Sequence, residues 1–504
     1  MRFFRRESIS AEWVYKRAPW AILGLGLAMR LAGLDKGIWL DEFSSVNRII
    51  GADFLHDLRT YDHPPLYLVL LRLWSRIAIQ EEFLRLLSVL FGVATLAVVM
   101  AWVKQYARAG SLIAGLCCAT WPMMLRYSQE IRGYSLLLFG VALAFFFVTR
   151  LASAPDKTSG YAGLAFSLSI VVASHAVGIM LLVSICLWAA ATPVLWKKEN
   201  RGRVLVAMAL PVAVFIFLFF VFLRINKSSA EWWIPEFSAA LIASTAKEIF
   251  GYEKMMWPWQ VIQKRLPFGG EVFEILAKLL MAGFGTALFV LGNWKRSWPL
   301  LLAAICYWLQ LAAYSVFMLP ILWYRTALPG LIPFFGFLGV HVATMAQKPL
   351  RIFFTAGIFL ICSVFSASWM LGEAWRPYEY WRAGAKALAA DLQPHDLVIL
   401  YPDYIAGPVT YYLALPAEAV AAINLETGAA EIKKRIAAQI TRRKDLEMTF
   451  SVFLLHRSDL STQRNSAHLQ QLLEILETEL GRPTDRKHWD SLTLLRHEHR
   501  RLSR

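Results

Sequence analysis

The chain predicts a mainly α, polytopic membrane protein with about 11 transmembrane helices, outer juxtamembrane helices and a small carboxy-terminal α/β extracytoplasmic domain. Three observations carry that expectation. Hydrophobic residues make up 57% of the 504 positions, whereas soluble domains sit near 45–50%. The apolar residues fall in runs approaching the roughly 20 that a helix needs to cross a bilayer. After Leu371 the runs stop and short apolar stretches alternate with amphipathic ones.

In order, the expected spans are Pro19–Leu34, Phe83–Val103, Ser111–Leu125, Tyr134–Val148, Tyr161–Ala173, His175–Trp196, Val204–Leu223, Val272–Leu291, Trp298–Leu319, Thr326–Ala346 and Ile352–Leu371. The first run shows no small-residue cleavage site, so a removed signal peptide is not expected. All five cysteines fall within these spans. The carboxy-terminal region therefore needs no disulfides, even in an oxidising compartment.

The net charge of +16 matters less than its placement. Arg5, Arg6, Lys16 and Arg17; Lys104 and Arg108; Arg150 and Lys157; Lys197, Lys198, Arg201 and Arg203; Lys295 and Arg296; Lys348 and Arg351 occupy alternate loops. The positive-inside rule then puts the amino terminus in the cytoplasm and the carboxy-terminal domain outside. A basic chain is also consistent with nucleic-acid binding, but this distribution along apolar spans does not point to nucleic acid.

Two domains are expected: residues 1–371 as the membrane part and 372–504 as the outer domain. In the latter, helical patterns at Trp381–Leu392, Ala429–Arg442 and Ser466–Leu480 alternate with apolar runs at Leu397–Leu400, Phe450–Leu455 and Ser491–Leu495. That alternation reads as α/β. The domain carries no glycine-rich phosphate fingerprint and no nucleophile elbow.

Charge beside a bilayer is costly unless paired, hydrated or used. The loop after the first span holds Asp41, Glu42, Asp62 and His63. From Asp41 to Leu58, apolar residues at helical spacing predict one amphipathic surface helix. Acidic residues in its first turn are also ordinary capping. His63-Pro64-Pro65 is a stiff extended element that fixes Asp62. A second cluster, Arg126-Tyr127-Ser128-Gln129-Glu130-Ile131-Arg132-Gly133-Tyr134, reads as an outer turn with Ser128 as N-cap and Gln129–Arg132 as the next helix's first turn. Such an end suits an anion, above all a phosphate. Arg126 and Glu130 are also spaced to pair. Tyr324-Arg325 lies at another outer span end, where the arginine either snorkels or contacts phosphate. His175, at an outer helix end, is a substrate-site candidate that also reads as a structural hydrogen-bonding residue.

Together these motifs resemble the bacterial branch of the GT-C glycosyltransferases, which includes protein O-mannosyltransferase-like proteins and the lipid A aminoarabinose and galacturonic acid transferases. The resemblance spans Pro19 to Leu371 and rests on the Asp-Glu after the first span, Asp-His-Pro-Pro-Leu-Tyr, Tyr-Ser-Gln-Glu-x-Arg-x-Tyr and the late Tyr-Arg. It implies inverting transfer from a polyprenyl-phosphate-linked sugar to an envelope acceptor (lipid A, a glycan or a protein) at the outer face of a bacterial inner membrane. It implies Asp41 as general base with Glu42 beside it, or Asp41 as ligand to a divalent ion together with Asp62 and His63. Asp62 and His63 would border the same cavity. Gln129, Glu130, Arg132 and Tyr134 would form the turn that holds the lipid phosphate, with Tyr324, Arg325 and His175 as further candidates. Two other classes stay open: a transporter or flippase of a lipid-linked sugar, and a non-catalytic polyprenyl-lipid scaffold.

Overall fold

The computed structural model describes residues 11–61, 63–190, 192–223, 234–263, 270–415, 419–423, 429–445, 449–457, 463–490 and 492–499. The chain divides into two compact units. One holds the residues up to Leu34 and Arg48–Trp375; the other holds Asp35–Asn47 and the chain from Arg376 onward.

The first unit is helical. It begins with α1 (Ala11–Leu31), and a boundary between units falls inside α2 (Leu40–Ile50). The single surface helix expected to Leu58 is two, because Gly51-Ala52-Asp53 breaks it. Asp53 accepts from the His56 amide at 3.0 Å and starts α3 (Phe54–Arg59) as a capping residue. Next come α4 (Leu66–Trp74), α5 (Glu81–Val103) and α6 (Arg108–Thr120). Pro122 stops α6, since it has no amide to continue the ladder. The chain restarts as α7 (Pro122–Tyr127), with proline in its first turn.

Long apolar helices follow: α8 (Tyr134–Ser153), α9 (Thr158–Ser174), α10 (Gly178–Ala190) and α11 (Lys198–Leu218). After α12 (Ala239–Ile249) and α13 (Tyr252–Gln263) come α14 (Gly270–Leu291), α15 (Trp294–Phe317), α16 (Tyr324–Ala327), α17 (Leu331–Ala343) and α18 (Lys348–Leu371). Among the described residues, six helices are long and apolar enough to cross a membrane, and four shorter apolar ones accompany them. The protein is therefore a polytopic membrane protein. Ser128 does not cap α8. Its Oγ donates to the Met124 carbonyl, and α8 begins only at Tyr134, after Gly133.

One buried charge organises the centre of this unit. Arg30, at the end of α1, is fully buried and donates to Ser128 Oγ and to the carbonyls of Gly26, Cys118 and Ala119. A buried guanidinium is tolerable only when its donors are satisfied. Gln129 adds a second tie: its side-chain amide donates to the Arg30 and Ala32 carbonyls.

The second unit is a five-stranded mixed sheet in the order β2-β1-β3-β5-β4. Its strands are β1 (Leu397–Tyr401), β2 (Val420–Ala422), β3 (Phe450–Arg457), β4 (Asp485–Trp489) and β5 (Leu492–His499). The first three pair in parallel; β5 runs antiparallel to β3 and β4. Alternation along β1 and β3 sends side chains to opposite faces. Leu397, Ile399, Val452 and Leu454 meet α21 (Ala429–Asp445) and α22 (Gln463–Leu480), after α19 (Trp381–Asp391) and α20 (Ala406–Tyr412) in the chain. Val398, Leu400, Phe453 and Leu455 meet Trp381 and Leu388 of α19 and Val409 of α20.

Candidate functional site

Within the membrane unit, residues from three separate chain segments meet around Arg132. Its Nη1 donates to the Tyr61 hydroxyl at 3.1 Å, and its Nη2 lies 3.1 Å from His63 Nε2. A guanidinium can only donate, so His63 Nε2 accepts and the ring hydrogen sits on Nδ1. His63 stacks on His175, with ring centroids 4.4 Å apart. The Val177 amide donates to His175 Nδ1 at 3.3 Å, which leaves the hydrogen on Nε2. Both of these N–H groups, His63 Nδ1 and His175 Nε2, are buried without a partner in the described structure. Two unsatisfied buried donors near a guanidinium leave this corner with unused capacity for an acceptor.

The local sequence explains the arrangement. Pro64 and Pro65 lead directly into α4, whose Tyr67 hydroxyl meets Ser88 Oγ at 2.9 Å. Ser88 in turn donates to the Glu130 carbonyl at 2.6 Å, tying the turn to α5. Gly133 permits the final approach: a Cβ there would lie 2.9 Å from the Ser174 carbonyl oxygen at the end of α9. Arg132 and Tyr134 thereby come beside His175, with the Tyr134 ring 5.0 Å from it.

Both histidines lie in turns outside the spanning helices. Burial first, then the neighbouring His175 and Arg132, Arg48 and Arg325, hold His63 well below the usual imidazole range. Burial and Arg132 push His175 down to about 3. Both are therefore neutral N–H donors, and fixed charge comes from the arginines. Arg48 lies 5.1 Å over the Tyr61 ring. Arg48 was not singled out from sequence. The available signal for Arg48 was a basic residue in a loop that the charge bias leaves acidic.

The other candidates take varied places. Arg126 pairs with Glu130 at 3.3 Å and lies over the Tyr127 and Tyr324 rings at 5.8 and 5.9 Å. Arg325 lies 5.8 Å over the Tyr324 ring. Its charge also reaches His63 and Tyr127. Gln129 is committed to backbone carbonyls. Asp62 lies outside the described residues.

Asp41 and Glu42 belong to the second unit. Glu42 is buried, and its Oε2 accepts from the Trp39 amide at 3.4 Å, the reach-back of a capping box at the start of α2. Asp41 is half-buried. Among the described residues no group of three or more His, Cys, Asp or Glu is placed to hold a metal ion. Three guanidiniums acting on His63 also disfavour a dication at that corner.

A profile of the family described as dolichyl-phosphate-mannose-protein mannosyltransferase matches residues 62–222. No curated protein matches the chain. The crystal structure of ArnT from Cupriavidus metallidurans in the apo state is 12% identical, with 97% of this chain and 98% of that chain covered at a TM-score of 0.55. The same enzyme bound to undecaprenyl phosphate is 11% identical over the same shares, again at a TM-score of 0.55. At such identity the likeness is one of architecture, and on it the chain has the GT-C glycosyltransferase fold.

Proposed function

We propose that this protein is an inverting glycosyltransferase of a bacterial inner membrane that moves a sugar from a polyprenyl-phosphate-linked donor to an envelope acceptor. The observation that carries the reading is the Arg132 corner, where two buried N–H groups lack partners beside a guanidinium. Loss of a sugar from a lipid phosphate leaves negative charge on phosphate oxygens. Donors already aimed at that charge lower the barrier most, because they need no reorganisation. Arg132, His63 and His175 are assigned that role, with Tyr134 and Arg325 bordering the lipid phosphate.

The acceptor hydroxyl needs a base. Asp41 is the carboxylate assigned to it; Glu42 is occupied in capping α2, and Asp62 is a further candidate. A single displacement uses one base and inverts the anomeric centre. In this reading the membrane part, residues 1–371, binds the donor and the domain 372–504 faces the acceptor outside the membrane. The amino terminus is then cytoplasmic. Likeness in fold to a protein bound to undecaprenyl phosphate supports a polyprenyl phosphate as the carrier.

The test is mass spectrometry of lipid A, surface glycans and envelope proteins from cells lacking the protein, complemented with wild type or Asp41→Asn. A sugar lost on deletion and restored by wild type alone is expected. Translocation of lipid-linked sugar without any glycosidic product would overturn the reading in favour of transport. Full restoration by Asp41→Asn would remove Asp41 as base.

A further inference from the structure

The segment that carries Asp41 folds as part of the carboxy-terminal unit, and beside Glu42 a second carboxylate, from Glu379, secures its helix start. Leu40 is the first residue of α2, so its amide has no acceptor inside the helix. Glu379 Oε2 accepts from that amide at 2.7 Å and from Trp381 Nε1 at 2.6 Å. The other carboxylate oxygen pairs with Arg457 at 3.0 Å, at the end of β3. Glu379 is buried, at 8% exposure. A buried charge with all its partners fixed rotates little, so the amide it holds is fixed too.

Further ties hold the same segment. The Tyr412 hydroxyl accepts from the Ile38 amide at 2.7 Å. Arg382 donates to the Asp35 carbonyl and pairs with its carboxylate at 3.0 Å. Gly37 allows this proximity, since a Cβ there would lie 3.2 Å from Arg382 Cβ. Phe43 meets the Tyr411 ring edge-on at 6.3 Å.

We propose that Glu379 is a positioning residue: held by Arg457, it fixes the first turn of α2 and so the direction in which Asp41 presents its carboxylate. The inference rests on the role assigned to Asp41 above. Orientation is worth this much structure, because a misplacement of about 1 Å costs on the order of 100-fold in rate.

The experiment compares full-length wild type, Glu379→Ala, Glu379→Gln, Arg457→Met and Asp41→Asn. Hydrogen–deuterium exchange is followed at the amides of 38–45, together with sugar transfer in membranes and affinity for a polyprenyl phosphate. Glu379→Ala should exchange about 10-fold faster at the start of α2 and transfer about 100-fold more slowly, at unchanged lipid affinity. Glu379→Gln keeps an acceptor for the Leu40 amide and should recover part of both. Arg457→Met should move exchange and rate in the same direction as Glu379→Ala. Asp41→Asn should abolish transfer while its exchange stays that of wild type. If the Glu379 variants exchange and turn over like wild type, the proposal is overturned. Faster exchange at unchanged rate overturns the positioning role as well. If wild type itself transfers no sugar, the functional reading fails, and exchange alone then decides whether Glu379 holds α2.

Discussion

At the level of single residues, the Arg132 corner separates charge from hydrogen bonding. The arginine carries the positive charge and the two histidines contribute neutral N–H groups. Arg132→Ala should weaken binding of a polyprenyl phosphate by about 10- to 100-fold, the loss of one charge-assisted contact of roughly 1.5–3 kcal/mol. Binding to the purified protein measures it, and unchanged affinity would remove Arg132 from the site. The histidines make a separate prediction about pH. His63 and His175 both titrate below their ordinary 6.5, His175 near 3. Below 6.5 the unfolded chain takes up protons that the folded chain refuses. The stability these groups contribute is therefore complete above that value and is lost as pH falls below it, for His175 down to about 3. Thermal midpoints followed by tryptophan fluorescence between about pH 7.5 and about pH 5 should fall in wild type and fall less in a His63→Gln/His175→Gln variant. His63, Arg132, Tyr134 and His175 were each visible in the sequence, but not their meeting. They stand on a proline-stiffened loop, a turn and the far end of another helix, and no periodicity links those places. Arg30 was hidden for a different reason: one arginine within a long apolar run leaves the run's hydropathy nearly unchanged, yet its four acceptors organise the unit's centre.

At the level of elements, apolar runs located the long helices, some of them closely and others with ends displaced by more than a turn, because a bilayer imposes both length and composition. Phe83–Val103 was expected and Glu81–Val103 is observed; Ile352–Leu371 was expected and Lys348–Leu371 is observed. The misses follow from local chemistry. Pro122 split one expected span, and Gly51-Ala52-Asp53 split the surface helix. The edge strand β4, Asp485–Trp489, is largely polar and exposed, so it lacks the alternation by which strands are recognised. How helices pack was not legible at all, since it depends on which small residues face each other. At the crossing of α6 and α17 the backbones touch: a Cβ on Gly339 would lie 2.4 Å from the Gly110 carbonyl oxygen, and one on Gly110 would lie 2.8 Å from that of Gly339. Without a hydrophobic drive inside the bilayer, such close approach is what holds helices together. Gly339→Ala should therefore destabilise by about 1–3 kcal/mol, as overpacking does. Gly283→Ala, where an added Cβ meets nothing within 4 Å, is the control and should leave the thermal midpoint in detergent unchanged or slightly raised. Equal midpoints for the two variants would contradict the packing argument.

At the level of the whole molecule, the remaining question is which way the chain faces. The basic loops suggest which side is which, and the helix count bears only on whether the two ends lie on the same side. If the six long spans and four shorter apolar helices all cross, and α1 with its 21 residues crosses as well, the number of crossings is odd. The two ends of the chain then lie on opposite sides. The positive-inside rule assigns the side with Lys157, Arg201 and Lys348 to the cytoplasm. Glu236 and Lys386 then belong to the outer side, where a lipid-linked sugar, already carried across, would be used. Single cysteines test this in a background lacking the five native ones, which all lie within helices α6, α10, α15 and α18. Glu236→Cys and Lys386→Cys should react with a membrane-impermeant maleimide in cells whose outer membrane alone is opened. Lys157→Cys, Arg201→Cys and Lys348→Cys should react only once the inner membrane is breached. All five positions are exposed on the protein surface, and labelling of each after detergent solubilisation is the control for access. The opposite labelling pattern would place the carboxy-terminal unit in the cytoplasm. The donor would then be met before it crosses the membrane, and the reaction proposed for the outer face would lose its setting.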